Sequence, residues 1–404
     1  MSTTRREFLR RSPALFALGS FAPQFLLRAA AGEGAADNDG RVLVVVQLSG
    51  GNDGLNSVVP FRNEVYRQNR PTLAVPAADV LKIDSELGFH PSLRGFADLL
   101  EAGRLAIVQG VGYDNPNRSH FESMDIWHTC RRKEEPRPDG WLGRFLEQSN
   151  GHATNDVPAM HLGGEKQPIA LASHSIRVPT IRSVEQFQLQ TSGGETREMV
   201  SELTAADRDS GDELLGFVQS STTSALSVAE RFARSAASAT PTREYPATDL
   251  GQKLSTIARL IANGLSTRIY YVELDGFDTH AQQGAAHAGL LRQVGDAINT
   301  FITDMVSQGL GDRVLVTAFS EFGRRLAENA SEGTDHGAGA PLFVAGTKVR
   351  TGLIGPHPSL TDLDQGDVKH HTDFRRVYAA VIEGWLGGES SPVLGGSFAP
   401  VELF

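Results

Sequence analysis

Five short runs of the chain stay apolar without alternating: Val42–Leu48, Leu105–Val108, Ile269–Leu274, Val314–Phe319 and Leu342–Ala345. Continuous, largely β-branched runs of this length predict strands buried on both faces. Helical patterns alternate with them over Pro91–Ala102, Asp212–Ala236, Leu250–Leu265, Ala285–Gln308 and Asp373–Leu386. Strands of that kind, separated by helices long enough for crossovers, predict an α/β fold, a doubly wound and mostly parallel sheet with helices on both faces. Ligand sites in such sheets lie beyond the carboxyl ends of the strands. From His152 to Thr248 the strand signals weaken, and Ser, Thr and Ala gather around Ser220 and Ser235. This region reads as an inserted cap on one domain spanning 41–404, with Ala239–Ala247 as a linker holding two prolines.

The first residues fit neither pattern. Thr4, Arg5, Arg6, Glu7, Phe8, Leu9 and Arg10 precede a mostly apolar stretch from Pro13 to Leu27 that ends in Ala29, Ala30 and Ala31. This looks like a twin-arginine export signal over residues 1–31, followed by a small, polar linker over 32–40. Pro13 and Pro23 interrupt the stretch, which is shorter than the roughly 20 residues a spanning helix needs. The expectation is a periplasmic or secreted protein that meets the twin-arginine machinery and has no membrane span once mature.

Composition narrows the chemistry. The 404 residues contain 38 basic and 48 acidic side chains, a formal charge of −10, which argues against a grip on nucleic acid. With one cysteine, Cys130, neither an intrachain disulfide nor a cysteine zinc cluster is available. A metal site must draw on His, Asp, Glu or hydroxyls.

Polar clusters stand where the architecture puts a site. After the first strand come Ser49, Gly50, Gly51, Asn52, Asp53 and Gly54, without the spacing of a P-loop or a dinucleotide fingerprint. Asn52 and Asp53 are therefore better candidates for a metal or a substrate oxygen than the glycines are for a phosphate, though Asp-Gly is also ordinary turn chemistry. Arg118, Ser119 and His120 precede a helix start. There, unpaired N–H groups would stabilise an alkoxide, or the serine would simply cap the helix. Asp275, Asp278 and His280 follow the third run and form a divalent-metal half-site by donor type, or an Asx-turn with a neighbouring histidine. Glu321 follows the fourth run and needs a metal, Arg324 or Arg325 as partner if buried, while Asp335 and His336 precede the fifth.

Taken in order, these residues, with Thr372–Arg376 and the twin-arginine start, resemble the large bacterial exported family called domain of unknown function 1501. More distantly the order of elements is similar to the alkaline phosphatase, sulfatase and cofactor-independent phosphoglycerate mutase superfamily. That resemblance implies an alkaline-phosphatase-like fold and a divalent metal, zinc first, with manganese or calcium as alternatives. By position it makes Asp53 the early acid, Ser119 the nucleophile, Asp275 or Asp278 with His280 a metal pair, and His336 the last ligand. Glu321 would stand where the superfamily has Asp-His. The superfamily's Asp-x-x-x-His spacing is missing at Asp275–His280, and no sulfatase Cys/Ser-x-Pro-x-Arg surrounds Ser119.

The resulting expectation is a metal-dependent hydrolase or transferase of phosphate or sulfate esters, acting on a small-molecule or glycan ester. Ser119 would attack and Arg118 would clamp the equatorial oxygens. Asn52, His120 and Arg324 would contact substrate, and Asp53, Asp275, Asp278, His280, Glu321 and His336 would be the metal-ligating candidates. The alternative is a non-catalytic exported binding or assembly protein that kept the fold and lost the metals.

Overall fold

The computed structural model describes residues 40–149, 157–164, 166–176, 178–181 and 241–404. The export signal, nearly all of the linker and the helix expected over Asp212–Ala236 lie outside the described residues. No helix among the described residues is long and apolar enough to cross a membrane.

A nine-stranded sheet runs through the molecule. Its strands are β1 (Val42–Leu48), β2 (Leu105–Gly112), β3 (Ala159–Leu162), β4 (Thr180–Ile181), β5 (Ile269–Leu274), β6 (Val314–Phe319), β9 (Ala340–Ala345), β10 (Gly352–Ile354) and β11 (Thr372–Asp373). Between β6 and β9 a separate hairpin pairs β7 (Arg324–Glu328) with β8 (Thr334–His336). The sheet order is β10-β2-β9-β6-β1-β5-β3-β4, with β11 also beside β2. Within this sheet all strand pairs are parallel except those made by β9, which runs against both β2 and β6.

The apolar character of β1, broken only by the buried Gln47, follows from its central place. Val42, Val44, Val46 and Leu48 feed one core, while Leu43 and Val45 feed the other. The first core is closed by α1 (Arg94–Glu101), α4 (Asp249–Ala262) and α5 (Gln283–Ser307), the second by α2 (His120–Thr129), α3 (Trp141–Gln148) and α6 (Phe374–Ala380). Each fully buried Val or Leu contributes about 1.5–3 kcal/mol of transfer free energy, so neither face of the strand can turn polar cheaply. Trp127 stacks between Phe319 and Phe374, pinning α2 to the sheet just below the end of β6.

Two expectations change. The region read as an inserted cap over 152–248 starts as part of the sheet: β3 lies parallel beside β5, and β4 beside β3. The four residues of β3 include the polar His161, too short and mixed a pattern to register as a strand. The second run extends from Val108 to Gly112, because Gln109 and Gly110 bulge out opposite Pro341.

Candidate metal-binding site

The carboxyl ends of β1, β5 and β6, the first turn of α2 and the end of β8 meet at one place. The loop after β1 carries Gly50 at φ +117°, where an added Cβ would stand 2.3 Å from the backbone nitrogen of Asp278. Only glycine lets the two loops approach this closely. Arg324, 1% exposed, ties them together: it donates to the carbonyls of Gly50, Gly51, Phe277 and Thr334 and to Asp278 Oδ1. Opposite Arg324 in the hairpin ladder stands His336.

Three imidazoles converge on one carboxylate oxygen. The Nε2 atoms of His120, His280 and His336 lie 3.4, 3.0 and 3.1 Å from Asp278 Oδ1, and those of His280 and His336 are 2.8 Å apart. Ligating atoms of His120, Asp278 and His336 all fall within 4.8 Å of one another. The far side of each ring faces an acceptor: His120 Nδ1 is 2.7 Å from Glu321 Oε1, His336 Nδ1 is 2.7 Å from the Arg118 carbonyl, and His280 Nδ1 is 3.4 Å from Asp335 Oδ1. A carboxylate or carbonyl can only accept, so Glu321 and the Arg118 carbonyl hold a proton on Nδ1 of His120 and His336, and each of these two rings in its neutral form turns an Nε2 lone pair towards Asp278. His120 Nε2 is buried and has no hydrogen-bond partner.

Lone pairs and a carboxylate oxygen facing one another repel unless a cation or protons lie between them. Burial raises the Asp278 pKa, but Arg324 and His336 outweigh it and bring the carboxyl down to about 2. The hydrogen bond to Glu321 raises the pKa of His120 against the effect of burial. An Nδ1-anchored histidine presenting Nε2 is the arrangement of a metal ligand held by a second layer of hydrogen bonds. Three nitrogens and one oxygen suit zinc or manganese; calcium prefers an all-oxygen shell.

The other expected site residues have partners or roles different from those expected. Asp53 is fully buried, its carboxylate held by Arg70 at 2.6 Å and Gln283 at 2.5 Å, and it caps the short turn Gly54–Ser57. Burial raises its pKa but Arg70 outweighs this and holds it below the usual carboxylate value. Asn52, 1% exposed, accepts from Ser57 Oγ and His287 Nε2, out of reach of a substrate. Asp275 is exposed and stands outside the cluster that takes Asp278. Glu321, 2% exposed, holds His120 and the Gly50 N–H and so faces the ring's far side. The Arg118 guanidinium is engaged by Asp367, and that of Arg324 by the loops, so neither is a free clamp. His120, expected at the substrate, stands among the ligating candidates, because the first turn of α2 aims it between Glu321 and Asp278.

Ser119 is exposed at the N-cap of α2, and its side chain makes no capping bond. Its N–H donates to Asn117 Oδ1. The hydroxyl is thus left beside the unpaired N–H groups of the first turn, which favour negative charge. Asp335 stands in the polar cluster before the fifth run but carries no role in the sequence pattern, Asp367 lies outside every cluster, and a backbone carbonyl such as that of Arg118 leaves no trace in residue types.

The family model described as "Protein of unknown function (DUF1501)" matches residues 41–379. The chain belongs to this family. Curated proteins return no match to this DUF1501 chain. Among solved structures it is similar to a protein in the alkaline phosphatase superfamily from Vibrio parahaemolyticus, with TM-score 0.38 and 8% identity over 93% of this chain and 78% of that one. It is also similar to the PsFucS1 sulfatase from Pseudoalteromonas sp., with TM-score 0.37 and 9% identity over 95% and 72%. A third is the C-terminal periplasmic domain of EptC from Escherichia coli in complex with zinc, with TM-score 0.34 and 8% identity over 78% and 77%. These are likenesses of outline, and the chemistry of the DUF1501 site rests on its own residues.

Proposed function

We propose that this chain is a metal-dependent hydrolase or transferase of phosphate or sulfate esters, with Ser119 as nucleophile, exported by the twin-arginine route to the periplasm. One observation carries the reading: the Nε2 atoms of His120, His280 and His336 converge on Asp278 Oδ1, with His120 and His336 anchored through Nδ1 and His120 Nε2 buried without a partner. His120, His280, His336 and Asp278 would hold the cation, zinc by donor set. A divalent cation there supplies Lewis-acid polarisation of an ester oxygen and a lowered pKa for an oxygen acid.

The chain's own residues do the rest. Glu321 and the Arg118 carbonyl keep the Nδ1 protons of His120 and His336 in place, so those ligating lone pairs stay aimed without reorganisation, and Asp335 Oδ1 stands 3.4 Å from Nδ1 of His280. Ser119, free of capping duty, offers its hydroxyl at the helix terminus, where the N–H groups of α2 orient an ester's anionic oxygens. The substrate class is a small-molecule or glycan ester.

A second reading, an exported binding or assembly protein, is favoured by the engagement of Arg118 and Arg324 within the fold. The test is metal content and turnover of aryl phosphate and sulfate esters by the mature chain, its Ser119→Ala and its His336→Ala. The hydrolase reading predicts about one equivalent of metal in wild type and Ser119→Ala, metal lost in His336→Ala, and turnover lost in both variants. A folded, metal-free wild type overturns it. Bound metal with turnover indifferent to Ser119→Ala removes the nucleophile, and bound metal without turnover turns the reading to the binding protein.

A further inference from the structure

Asp367 lies outside every cluster apparent in the sequence. It follows the tight turn at Gln365 and Gly366, both at positive φ (53° and 90°), in a two-rung hairpin with Leu363–Asp364. That turn delivers its carboxylate, 3% exposed, between two guanidiniums. Oδ2 accepts from Arg118 Nη2 at 2.6 Å and Nε at 2.9 Å, and Oδ1 stands 3.3 Å from Arg325 Nε. Arg118 is itself 36% exposed, so this pair adds little to stability by charge attraction alone.

What the pair does hold is a peptide plane. The carbonyl of Arg118 receives His336 Nδ1 at 2.7 Å, and the same peptide's N–H, that of Ser119, donates to Asn117 Oδ1 at 2.8 Å. One peptide unit therefore orients a ligating imidazole on one side and carries the exposed serine on the other. The remaining freedom of that unit is rotation about its flanking bonds, and the Arg118 side chain, tethered by two hydrogen bonds to a buried carboxylate, opposes it.

We infer that Asp367 is a positioning residue of the metal site: by anchoring Arg118 it fixes the Arg118–Ser119 peptide, which sets the tautomer and aim of His336 and the place of Ser119. The inference rests on reading the histidine cluster as a metal site. Loss of an outer partner of this kind weakens metal by about 10- to 100-fold.

The experiment is competition of the mature chain against a chromophoric chelator for Zn²⁺, with Co²⁺ absorption recorded on the same samples. Wild type, Asp367→Asn, Arg118→Lys and Asp312→Asn are compared. Asp312 pairs with Lys348 on the surface and controls for loss of an ordinary ion pair. Expected are a Zn²⁺ affinity about 10- to 100-fold weaker in Asp367→Asn, with an altered Co²⁺ spectrum, and no change in Asp312→Asn. Arg118→Lys keeps the carbonyl and the charge but loses the fork, and falls between wild type and Asp367→Asn. Folded Asp367→Asn that binds Zn²⁺ as wild type does, with the same Co²⁺ spectrum, overturns the inference and leaves the metal site standing. If Asp367→Asn does not fold, Arg118→Lys indistinguishable from wild type overturns it equally. Wild type that binds neither ion defeats the metal site and this inference with it.

Discussion

Removing the Asp53 carboxylate separates a structural ion pair from a metal ligand. Asp53 and Arg70 are both 0% exposed, with Nη1 and Oδ2 at 2.6 Å. In Asp53→Ala the guanidinium stays buried with only neutral acceptors: Asn56 Oδ1 at 2.8 Å and the carbonyls of Leu326 and Arg325, each at 2.9 Å. Breaking a buried pair from one side costs about 3–5 kcal/mol. Adding Arg70→Met removes the stranded charge but leaves those carbonyls unpaired, at about 1 kcal/mol each. The double variant should therefore recover about 1–3 kcal/mol of the loss. Urea unfolding followed by circular dichroism at pH 7 measures this, with zinc content determined on the folded protein. The Asp53 pKa is depressed below 3.8 in the fold, so its stabilisation is present above that value and lost as pH falls through the folded pKa. Wild type and Asp53→Ala should therefore converge in acid. A cost under about 1 kcal/mol at pH 7, or folded Asp53→Ala that has lost its metal, refutes the assignment.

Zinc affinity should fall as pH drops, starting above pH 6.5 because Glu321 raises the His120 pKa above that value, and steepening towards tenfold per unit for each proton displaced. In the metal-free chain the same shift has the opposite slope: its stabilisation is complete below 6.5 and is lost as pH rises through the folded pKa. A chelator titration and urea midpoints between pH 5 and 9 check both. Gly50→Ala should weaken zinc more than about tenfold and cost about 1–3 kcal/mol, since its Cβ would stand 2.3 Å from Asp278 N at φ +117°. Gly284→Ala, where nothing lies within 4 Å in the first turn of α5, should be neutral to slightly stabilising in the same assays.

The sequence showed strands best where burial is two-sided. Val42–Leu48, Ile269–Leu274 and Val314–Phe319 are apolar runs broken by a single polar residue each (Gln47, Glu273 and Thr317) because alternate side chains enter different cores, and their observed ends coincide with the runs. Where a strand bulges at Gln109 and Gly110, or is four residues long with a histidine inside, the pattern falls silent. The location of the site was legible because loops at the ends of parallel strands carry the chemistry. The roles were not, because they depend on partners far along the chain. Asp53 and Asp278 are the same residue type after equivalent strands, yet Arg70 buries one and the histidines surround the other. Nothing near Asp367 in sequence indicates that Arg118, 249 residues away, is its partner.

The antiparallel strand β9 sets the order in which this molecule can be assembled. Among the described residues, β2 touches the sheet only through β9, β10 and β11, all of which are synthesised after residue 339. At about 5–20 residues per second, β2 and the helix carrying His120 wait roughly ten seconds or more for any strand partner. Closure of the sheet is accordingly a late, long-range event. A chain stopped before Ala340 would leave the inner edges of β2 and β6 both unpaired, an invitation to intermolecular strand pairing.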